Sequence, residues 1–579
     1  MLLAAGVCAG ACGRCGAQGV APGQAQSAAQ GGEAGNTAPV MRVTTRLVQV
    51  SVVVEDKKGK PVGGLKPEDF QLLDNGKPQS ISLFSTEADL ELERDASPSG
   101  GVTPGLPGNV FENRASAEER PGSVTVILFD ALNTPVKDQI YAKAEILGFL
   151  RQLKPQDHVA VYLLTRRLTV INEFTQDAEA LLTAVERLRT AVSLLETNAN
   201  QGYVSAADMG IPDPKGARRL ANMMNEVTSS LSDLANLERV QITAQALEAV
   251  ANHVAGIPGR KNLIWVSGSF PVSIALSSSD NSPVDTQAQN FSGRMAQVAR
   301  VVSQANVAIY PVDARGLILP GDFDASVAHP AGPDASAFAN LTGTEEQGTM
   351  RLLAERTGGR AFINNNDIQG AIRTTLAETR HTYELGFYPD HGNWDGKFHE
   401  LKLRVKKSGV SLHYRKGYFA VAGAPSGANA ARAALQTAMW SPMDASGIGL
   451  QARVQAIDLA ARKLDLGVLV EMKPLRLAEE EGRHAGSLDA VYLQLGAGDA
   501  VVAAEPLSYK LDLTQKDYEA AMEHGYEMKE PLVIRADTRT LRVIVRDAGS
   551  GEVGSVTIPL EKFIPAMAAQ RTGEEKTHP

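Results

Sequence analysis

Apolar and polar positions follow different patterns along the chain, and the first is an alternation between residues 46 and 84. The runs DKKGK and DNGK interrupt this alternation. Alternation is typical of strands with one buried face, and Gly and Asn supply the positive φ that hairpin turns need. This part of the chain therefore predicts a small antiparallel β module.

From Ser123 the pattern changes to apolar strands separated by helical stretches. SVTVILFD, NLIWVSG and VAIYPVD are apolar almost throughout, which is typical of strands covered on both faces. HVAVYLLT (158–165) and LTVINEF (168–174) lie too close together for a helix between them, so they predict a hairpin. MRLLAERTGG and RAFIN predict a further helix and strand. These elements predict a Rossmann-like α/β domain with a mostly parallel sheet and helices on both faces.

Helical spacing of apolar residues predicts which faces of two helices are buried. The helix after SVTVILFD is predicted to bury Ile140, Ala144, Leu147 and Leu150. The helix before NLIWVSG is predicted to bury Val240, Ala244, Leu247, Ala251 and Val254, and the GIPG that follows predicts its end.

Alternation returns after the α/β region, so the chain is predicted to be multidomain, with antiparallel β-sandwich modules flanking the α/β domain. The strands of 41–94 either join those of 384–421 in one sandwich or form a separate module. The predicted layout is a leader and flexible tether at 1–40, a β module at 41–94, a linker at 95–122, the α/β domain at 123–383 with an insertion at 190–233, β strands at 384–421, a linker at 422–445, a β-sandwich at 446–566 and a tail at 567–579.

The first forty residues indicate export. A short apolar stretch is followed by Gly, Ala and Gln, as in a signal sequence with a tether, although no Lys or Arg precedes it. All three cysteines, Cys8, Cys12 and Cys15, lie in this leader, so the rest of the chain offers no disulfide and no thiolate. We expect a periplasmic, cell-surface or extracellular protein with no transmembrane helix beyond the leader.

A net charge of -9 gives no basic surface for nucleic acid, which is excluded as a partner.

Polar residues gather where the apolar strands end. Asp130 ends the first strand and is followed by Asn133 and Thr134, Ser267 ends NLIWVSG, and Asp313 ends VAIYPVD. In open α/β sheets the binding crevice lies outside the carboxyl ends of the strands, where the strand order reverses. We therefore expect a functional site at this edge.

Several phrases carry a resemblance to a known family: RLVQVSVVV, GLKPEDFQLLDNGKPQSI, ILFDALNTP, GIPGRKNLIWVSGSFP, YPVDARG and RKGYF occur in this order. The stretch from roughly 40 to 420 resembles a bacterial family of secreted proteins related to the von Willebrand factor A (VWA) domain, mostly of unassigned function. The resemblance implies an adhesion or binding protein that engages a protein or cell-envelope partner.

The resemblance also implies a metal-ion-dependent adhesion site, in which oxygen ligands hold Mg²⁺ or Mn²⁺. On that pattern Asp130 is the first ligand and Thr134 the second hydroxyl ligand, whereas Leu132 replaces the first Ser and Ser267 replaces a late Asp. The site is therefore predicted to be degenerate, with cation binding weak or absent. The remaining Thr ligand falls in the insertion, where Thr197 is one of several candidates.

The same residues also allow a metal-free interpretation. Thr134 or Asn133 can cap the helix that starts near Pro135, with Asp130 solvated at the rim. Asp313 can supply a carboxylate that compensates for the lost metal ligands, or it can cap a helix or stabilise a loop. Asn133 and Asp313 are our candidates for a partner-binding surface, and a metal-free scaffold is the alternative function.

Enzyme chemistry has little support in the sequence. Ser267 follows a buried strand, as a hydrolase serine does, with His253 and Asp313 as conceivable partners, but Trp265 and Ser269 stand where the nucleophile elbow requires Gly. His391 and His399 have no standard zinc spacing. We therefore predict a protein that is not an enzyme, with a serine hydrolase using Ser267 as the weaker alternative.

Overall fold

The structure is a computed structural model. It describes residues 47–86, 106–114, 123–155, 157–189, 214–257, 259–268, 294, 297–317, 347–379, 381–389, 395–421, 428–458, 461–480 and 482–563. These residues belong to one compact unit, Thr45–Pro579. The predictions for the leader, the tail, Thr197 and His391 lie outside the described residues.

The described chain is a mixed α/β structure with several sheets. Its strands are β1 (Val48–Asp56), β2 (Phe70–Asp74), β3 (Lys77–Gln79), β4 (Leu83–Thr86), β5 (Val110–Glu112), β6 (Val124–Asp130), β7 (Val159–Leu164), β8 (Leu168–Thr175), β9 (Lys261–Ser267), β10 (Val307–Asp313), β11 (Thr382–Phe387), β12 (Asp395–Val405), β13 (Val410–Tyr414), β14 (Gly417–Val421), β15 (Leu450–Asp458), β16 (Lys463–Val470), β17 (Ala478–Glu480), β18 (Arg483–Leu495), β19 (Val501–Thr514), β20 (Tyr526–Val533), β21 (Thr540–Asp547) and β22 (Val553–Pro559). Its longer helices are α1 (Val136–Leu150), α2 (Ala178–Glu186), α3 (Pro214–Val254), α4 (Ile368–Thr379), α5 (Ala428–Trp440) and α6 (Gln515–His524), and residues 297–304 and 347–357 are also helical.

The central sheet has the strand order β10-β9-β6-β7-β8. The pairings of β10 with β9, β9 with β6 and β6 with β7 are parallel, and β7 with β8 is the antiparallel hairpin that the sequence predicts. The RAFIN segment does not form the predicted strand among the described residues, because it contributes a single bridge from Phe362 to Val312.

Helices cover both faces of this sheet. Val126 and Leu128 of β6 pack in one core with α3 and the 297–304 helix, whereas Ile127 and Phe129 pack in a second core with α1, α2 and α4. Successive side chains of a strand point to opposite faces, so one apolar strand serves both cores.

The residues predicted to be buried on α3, Val240 to Val254, are buried, but the buried face predicted for α1 is only partly right. Leu150 is buried as predicted and Leu147 partly so, but Ile140 is 60% exposed, and the other buried residues of α1 are Gln139, Ala142, Ile146 and Phe149. The side-chain nitrogen of Gln139 donates to the carbonyl oxygens of Ala131 and Thr134. A polar residue can be buried where the fold supplies hydrogen-bond acceptors for it. The spacing of apolar residues alone therefore does not identify the buried face of α1.

Strands from both sides of the central domain pair with each other. The order β13-β1-β11-β4 forms one sheet and β14-β12-β2-β3 another. Val50 and Leu385 of the first sheet share a core with Leu72 and Leu401 of the second. The segments 48–86 and 382–421 therefore pair directly.

The C-terminal sheets include a strand from the predicted 95–122 linker. The sheet β20-β16-β15-β5 contains Val110–Glu112, and the other sheet contains β17, β18, β19, β21 and β22. Leu466 and Val543 belong to the core that the two sheets share. Residues 110–112 are thus part of a sheet, because β15 offers them an open edge.

The predicted insertion 190–233 also needs correction. Residues 214–233 belong to α3, which has 41 residues and continues without a break to Val254. No helix of the described residues is long and apolar enough to cross a membrane.

Candidate functional site

The site lies at the carboxyl edge of the central sheet, where the strand order reverses. The chain leaves β6 toward β7 and β8 on one side, and β9 and β10 lie on the other. In register, Asp130 pairs with Ser267, and Ser267 pairs with Asp313. The strand ends that the sequence predicts to be neighbours are therefore in one row.

The Asp130 carboxylate accepts hydrogen bonds from three residues. Its Oδ2 accepts from Asn133 Nδ2 at 2.7 Å, Ser267 Oγ at 2.9 Å and Trp265 Nε1 at 3.0 Å. Its Oδ1 accepts from the Asn133 backbone N–H at 3.0 Å. Asp130 is fully buried, and burial raises its pKa above the ordinary value while these donors oppose that rise.

Asn133 links the carboxylate to a buried cation on α3. Its Oδ1 accepts from Arg239 Nε at 2.9 Å, and its Nδ2 also donates to Thr243 Oγ1 at 2.8 Å. Arg239 is 2% exposed. The amide therefore joins a buried anion to a buried guanidinium without a direct ion pair between them, which lowers the cost of burying each charge.

Thr134 ties the strand end to the next loop. Its hydroxyl donates to the Asp130 carbonyl at 2.5 Å and accepts from the Gly268 N–H at 2.8 Å. The predicted helix cap is wrong, since the N-cap of α1 is Pro135 and no side chain caps it. Thr134 connects β6 to the end of β9 instead.

Asp313 has its own partner within two residues. Its oxygens accept from the backbone and side chain of Arg315 at 3.0 to 3.1 Å. The Ala314 N–H donates to the Ser267 carbonyl at 2.9 Å, which keeps the two strand ends together. Asp313 thus forms an ion pair beside the network of Asp130.

The gathered side chains are packed together and do not line an open hollow. Asp130, Asn133, Thr134, Ser267 and Asp313 all have 0% exposure. Asn133 and Asp313, the candidates for a partner surface, contact this chain's own residues and face no solvent. A partner cannot reach them in this arrangement.

A divalent cation does not fit this donor set as arranged. Two of the groups that converge on Asp130 Oδ2 are the N–H donors of Asn133 and Trp265, and an N–H donor cannot coordinate a cation. Within the described ranges, no group of three or more His, Cys, Asp or Glu side chains is arranged to hold a metal.

The hydrolase partners do not meet. Ser267 donates to Asp130, whereas His253 lies 3.5 Å from Glu173 and 2.7 Å from the Asp444 carbonyl. His399 is buried against Asp74 and Tyr418 between strands. Among the contacts described, the Ser267 hydroxyl donates to the Asp130 carboxylate, and His253 does not reach it.

Sequence reasoning missed Trp265, Arg239, Thr243 and Gln139. Trp265 lies two residues before Ser267 on β9, so both side chains point to the same face of the sheet. That spacing was a usable signal for Trp265. Nothing in the sequence indicates that α3 brings Arg239 to this point.

N-terminal to Arg239, α3 includes residues 214–238, which span about 37 Å along the helix at 1.5 Å per residue. One face of this part is covered, because Ala217 and Ala221 are buried. Four apolar side chains at helical spacing are exposed on this part: Leu220 at 40%, Met223 at 60%, Met224 at 41% and Val227 at 53%. We call these four residues the α3 stripe.

No protein-family model matches this chain, and no curated protein matches it. Solved structures with some similarity include an aerotolerance-related membrane protein from Bacteroides fragilis, at 11% identity over 44% of this chain and 98% of that chain, with a TM-score of 0.23. The conserved hypothetical protein BatB from Bacteroides thetaiotaomicron matches at 11% identity over 45% and 98%, with a TM-score of 0.22. A von Willebrand factor type A protein from Catenulispora acidiphila matches at 11% over 78% and 71%, with a TM-score of 0.24. Scores this low carry no argument about fold or function.

Proposed function

We propose that this chain is an exported, non-enzymatic binding protein of VWA type that engages a protein or cell-envelope partner through the α3 stripe. The observation that carries the proposal is the set of four exposed apolar side chains on the N-terminal part of α3. Apolar residues at positions i, i+3, i+4 and i+7 form one continuous line on a helix. Such a line is how a helix binds an apolar groove of another protein.

The VWA assignment rests on the arrangement of the central sheet. An antiparallel hairpin closes one edge, the strand order reverses beside β6, and Asp130 ends that strand. Asp130 and Ser267, placed by the family resemblance at ligand positions, are 2.9 Å apart at Oδ2 and Oγ.

The network supports a structural role for Asp130 in place of a cation site. A metal-dependent site needs free oxygens and an open position for the partner. Here the carboxylate accepts four hydrogen bonds and is fully buried. We therefore propose that the site fixes the rim and the base of α3 without Mg²⁺ or Mn²⁺.

Site-specific photocrosslinking tests the proposed surface. A photoreactive methionine analogue at position 223 should form a discrete adduct with a component of the source organism's envelope fraction. The same probe in a chain carrying Leu220→Glu and Val227→Glu should lose that adduct, because two charges interrupt the line. A probe at Val501, which is 62% exposed on β19, is the matched control and should give no such adduct.

Two outcomes would contradict the proposal. An adduct that persists in the doubly substituted chain would place the contact elsewhere, and no adduct at position 223 would favour a metal-free scaffold without a partner at this helix. The non-enzymatic part is tested with a panel of ester substrates. Hydrolysis by the unaltered chain that disappears in Ser267→Ala would contradict it.

A further inference from the structure

A cleft of about 680 Å³ lies at the opposite end of the central sheet from Asp130. Three parts of the chain line it: the segment around Gly256 and Lys261, the sheet that contains Glu384, and the C-terminal sheets, which contribute Arg476 and Glu552. We call it the junction cleft. Lys261 is the first residue of β9 and Ser267 the last, so the cleft and the Asp130 network are separate sites.

Lys261 is an unusual residue for a cleft wall. Its side chain is buried, at 5% exposure, and lines the cleft. No side chain or carbonyl of the described residues forms a hydrogen bond or close ion pair with its ammonium group. Burial lowers the Lys261 pKa to about 8, although Glu384 and Glu552 oppose that change. The ammonium group therefore lies on the cleft wall near the carboxylates of Glu384 and Glu552, with no hydrogen bond to either.

Glu552 faces the same cleft from the C-terminal sheets. Within the described chain its carboxylate has no hydrogen-bond donor, and its Oε2 lies 2.7 Å from the position that a Cβ on Gly447 would take. Burial raises the pKa of Glu552 and of Glu384, and the Oε1 of Glu384 accepts from Ser51 at 2.5 Å. The cleft therefore presents a cation and an anion to the same space, and neither forms a hydrogen bond to the described residues.

Arg114 is not free to serve a ligand. Its guanidinium pairs with Glu471 and donates to the carbonyl of Ser446. Its role is to join the β5 segment to the turn before β15. Lys261 and Arg476 are the other cations on the cleft wall, and Arg476 lies near Asp547 and Glu552, whereas Glu384 and Glu552 are the anions of the wall.

We infer that the junction cleft binds a small zwitterion of the α-amino-acid type, whose carboxylate pairs with Lys261 and whose ammonium group pairs with Glu552. A simple anion would meet two carboxylates, and a simple cation would meet Lys261 and Arg476, so only a ligand with both charges complements the wall. Clefts of roughly 300–1,000 Å³ hold small ligands, which covers a free amino acid or a short peptide. This inference does not depend on the proposed function.

Thermal denaturation and calorimetry of the full chain test the inference. The probes are L-alanine, L-glutamate, L-lysine and the dipeptide Ala-Ala, each at millimolar concentration, with propionate and ethylamine as the two separate halves. A ligand that binds only the folded state raises Tm by mass action. We expect at least one amino acid or the dipeptide to raise Tm by several degrees and to give a saturable heat, and neither half to do so.

Substitutions locate the binding. Lys261→Met and Glu552→Gln should each weaken binding at least tenfold, and having two variants protects the test if one fails to fold. Lys463→Met removes an exposed lysine of β16 outside the cleft and should leave binding unchanged. The inference is overturned if no probe shifts Tm, if propionate binds as well as the amino acids, or if binding survives both cleft substitutions.

Discussion

Ser267 Oγ donates a 2.9 Å hydrogen bond to Asp130 Oδ2, and the two residues are register partners at the ends of neighbouring parallel strands. Trp265 and Asn133 supply two more donors to the same oxygen. A carboxylate surrounded in this way holds the strand ends and the first turn of the following loop in one position. Its removal should therefore lower the free energy of unfolding.

Asp130→Asn tests this role with almost no change of shape. With its oxygen in the place of Oδ2, the new amide turns its NH2 group toward the Asn133 backbone N–H, so two buried donors face each other and the negative charge is lost. We expect a loss of about 3–5 kcal/mol in the free energy of unfolding, measured by urea denaturation. Asp465→Asn, on an exposed position of β16, should cost less than about 0.5 kcal/mol. A loss below about 1 kcal/mol for Asp130→Asn would refute the structural role.

Divalent cations should not stabilise the chain through this site. With about 5 mM Mg²⁺ or Mn²⁺ we expect a Tm within about one degree of that in EDTA, since binding to the folded state would raise it. Ser267→Ala serves as the comparison, because it removes a hydroxyl from the network and keeps the carboxylate. A larger shift that Ser267→Ala abolishes would establish a cation site after all.

A larger residue at Gly268 should lower the free energy of unfolding, because the rim is closely packed around it. A Cβ there would lie 3.0 Å from Thr134 Cα and 3.1 Å from both Asn133 O and Pro135 Cδ. We expect Gly268→Ala to cost about 1–3 kcal/mol of unfolding free energy. Gly348→Ala is the matched control: it lies in the 347–357 helix with nothing within 4 Å of its Cβ, and should stabilise by about 0.5–1 kcal/mol. Equal effects at both positions would contradict the packing described.

The buried Lys261 should make stability depend on pH in the alkaline range. Its pKa is about 8 in the folded chain and 10.5 when unperturbed, so between these values the unfolded chain binds more protons. Unfolding free energy therefore rises with pH across this window, by up to about 3 kcal/mol. The quantity to measure is the stability of the unaltered chain minus that of Lys261→Met from pH 7.5 to 10.5.

Contributions of the other titrating groups to the pH dependence are the same in both proteins and cancel in this difference. The same difference taken with Lys463→Met should stay flat, because that lysine is exposed. A flat profile for Lys261→Met would show that its ammonium group is not desolvated.

The local sequence pattern was sufficient to predict an element or its buried face where the interactions that determine it lie within a few residues. The buried face of α3 from Val240 to Val254 and the β7–β8 hairpin were predicted because spacing and turn length act within a few residues. The α1 face was predicted only in part, because Gln139 is buried through hydrogen bonds to carbonyls that the fold brings to it. The strand at 110–112 was missed because its partner β15 is more than 300 residues away in the chain.

The sequence by itself determined that Asp130, Ser267 and Asp313 end apolar strands, with Thr134 shortly after the first, and therefore lie at one edge of the sheet. Only the tertiary structure decided what they do there. Trp265, Asn133 and the Arg239 of a distant helix complete the surroundings of the carboxylate, and their contacts depend on packing between elements far apart in the chain. The same is true of Lys261 and Glu552, which face one cleft because three parts of the chain meet around it. The order of the strands determines which residues lie at an edge of the sheet. Which side chains bury a charge or form hydrogen bonds to it depends on the packing of elements that are distant in the chain.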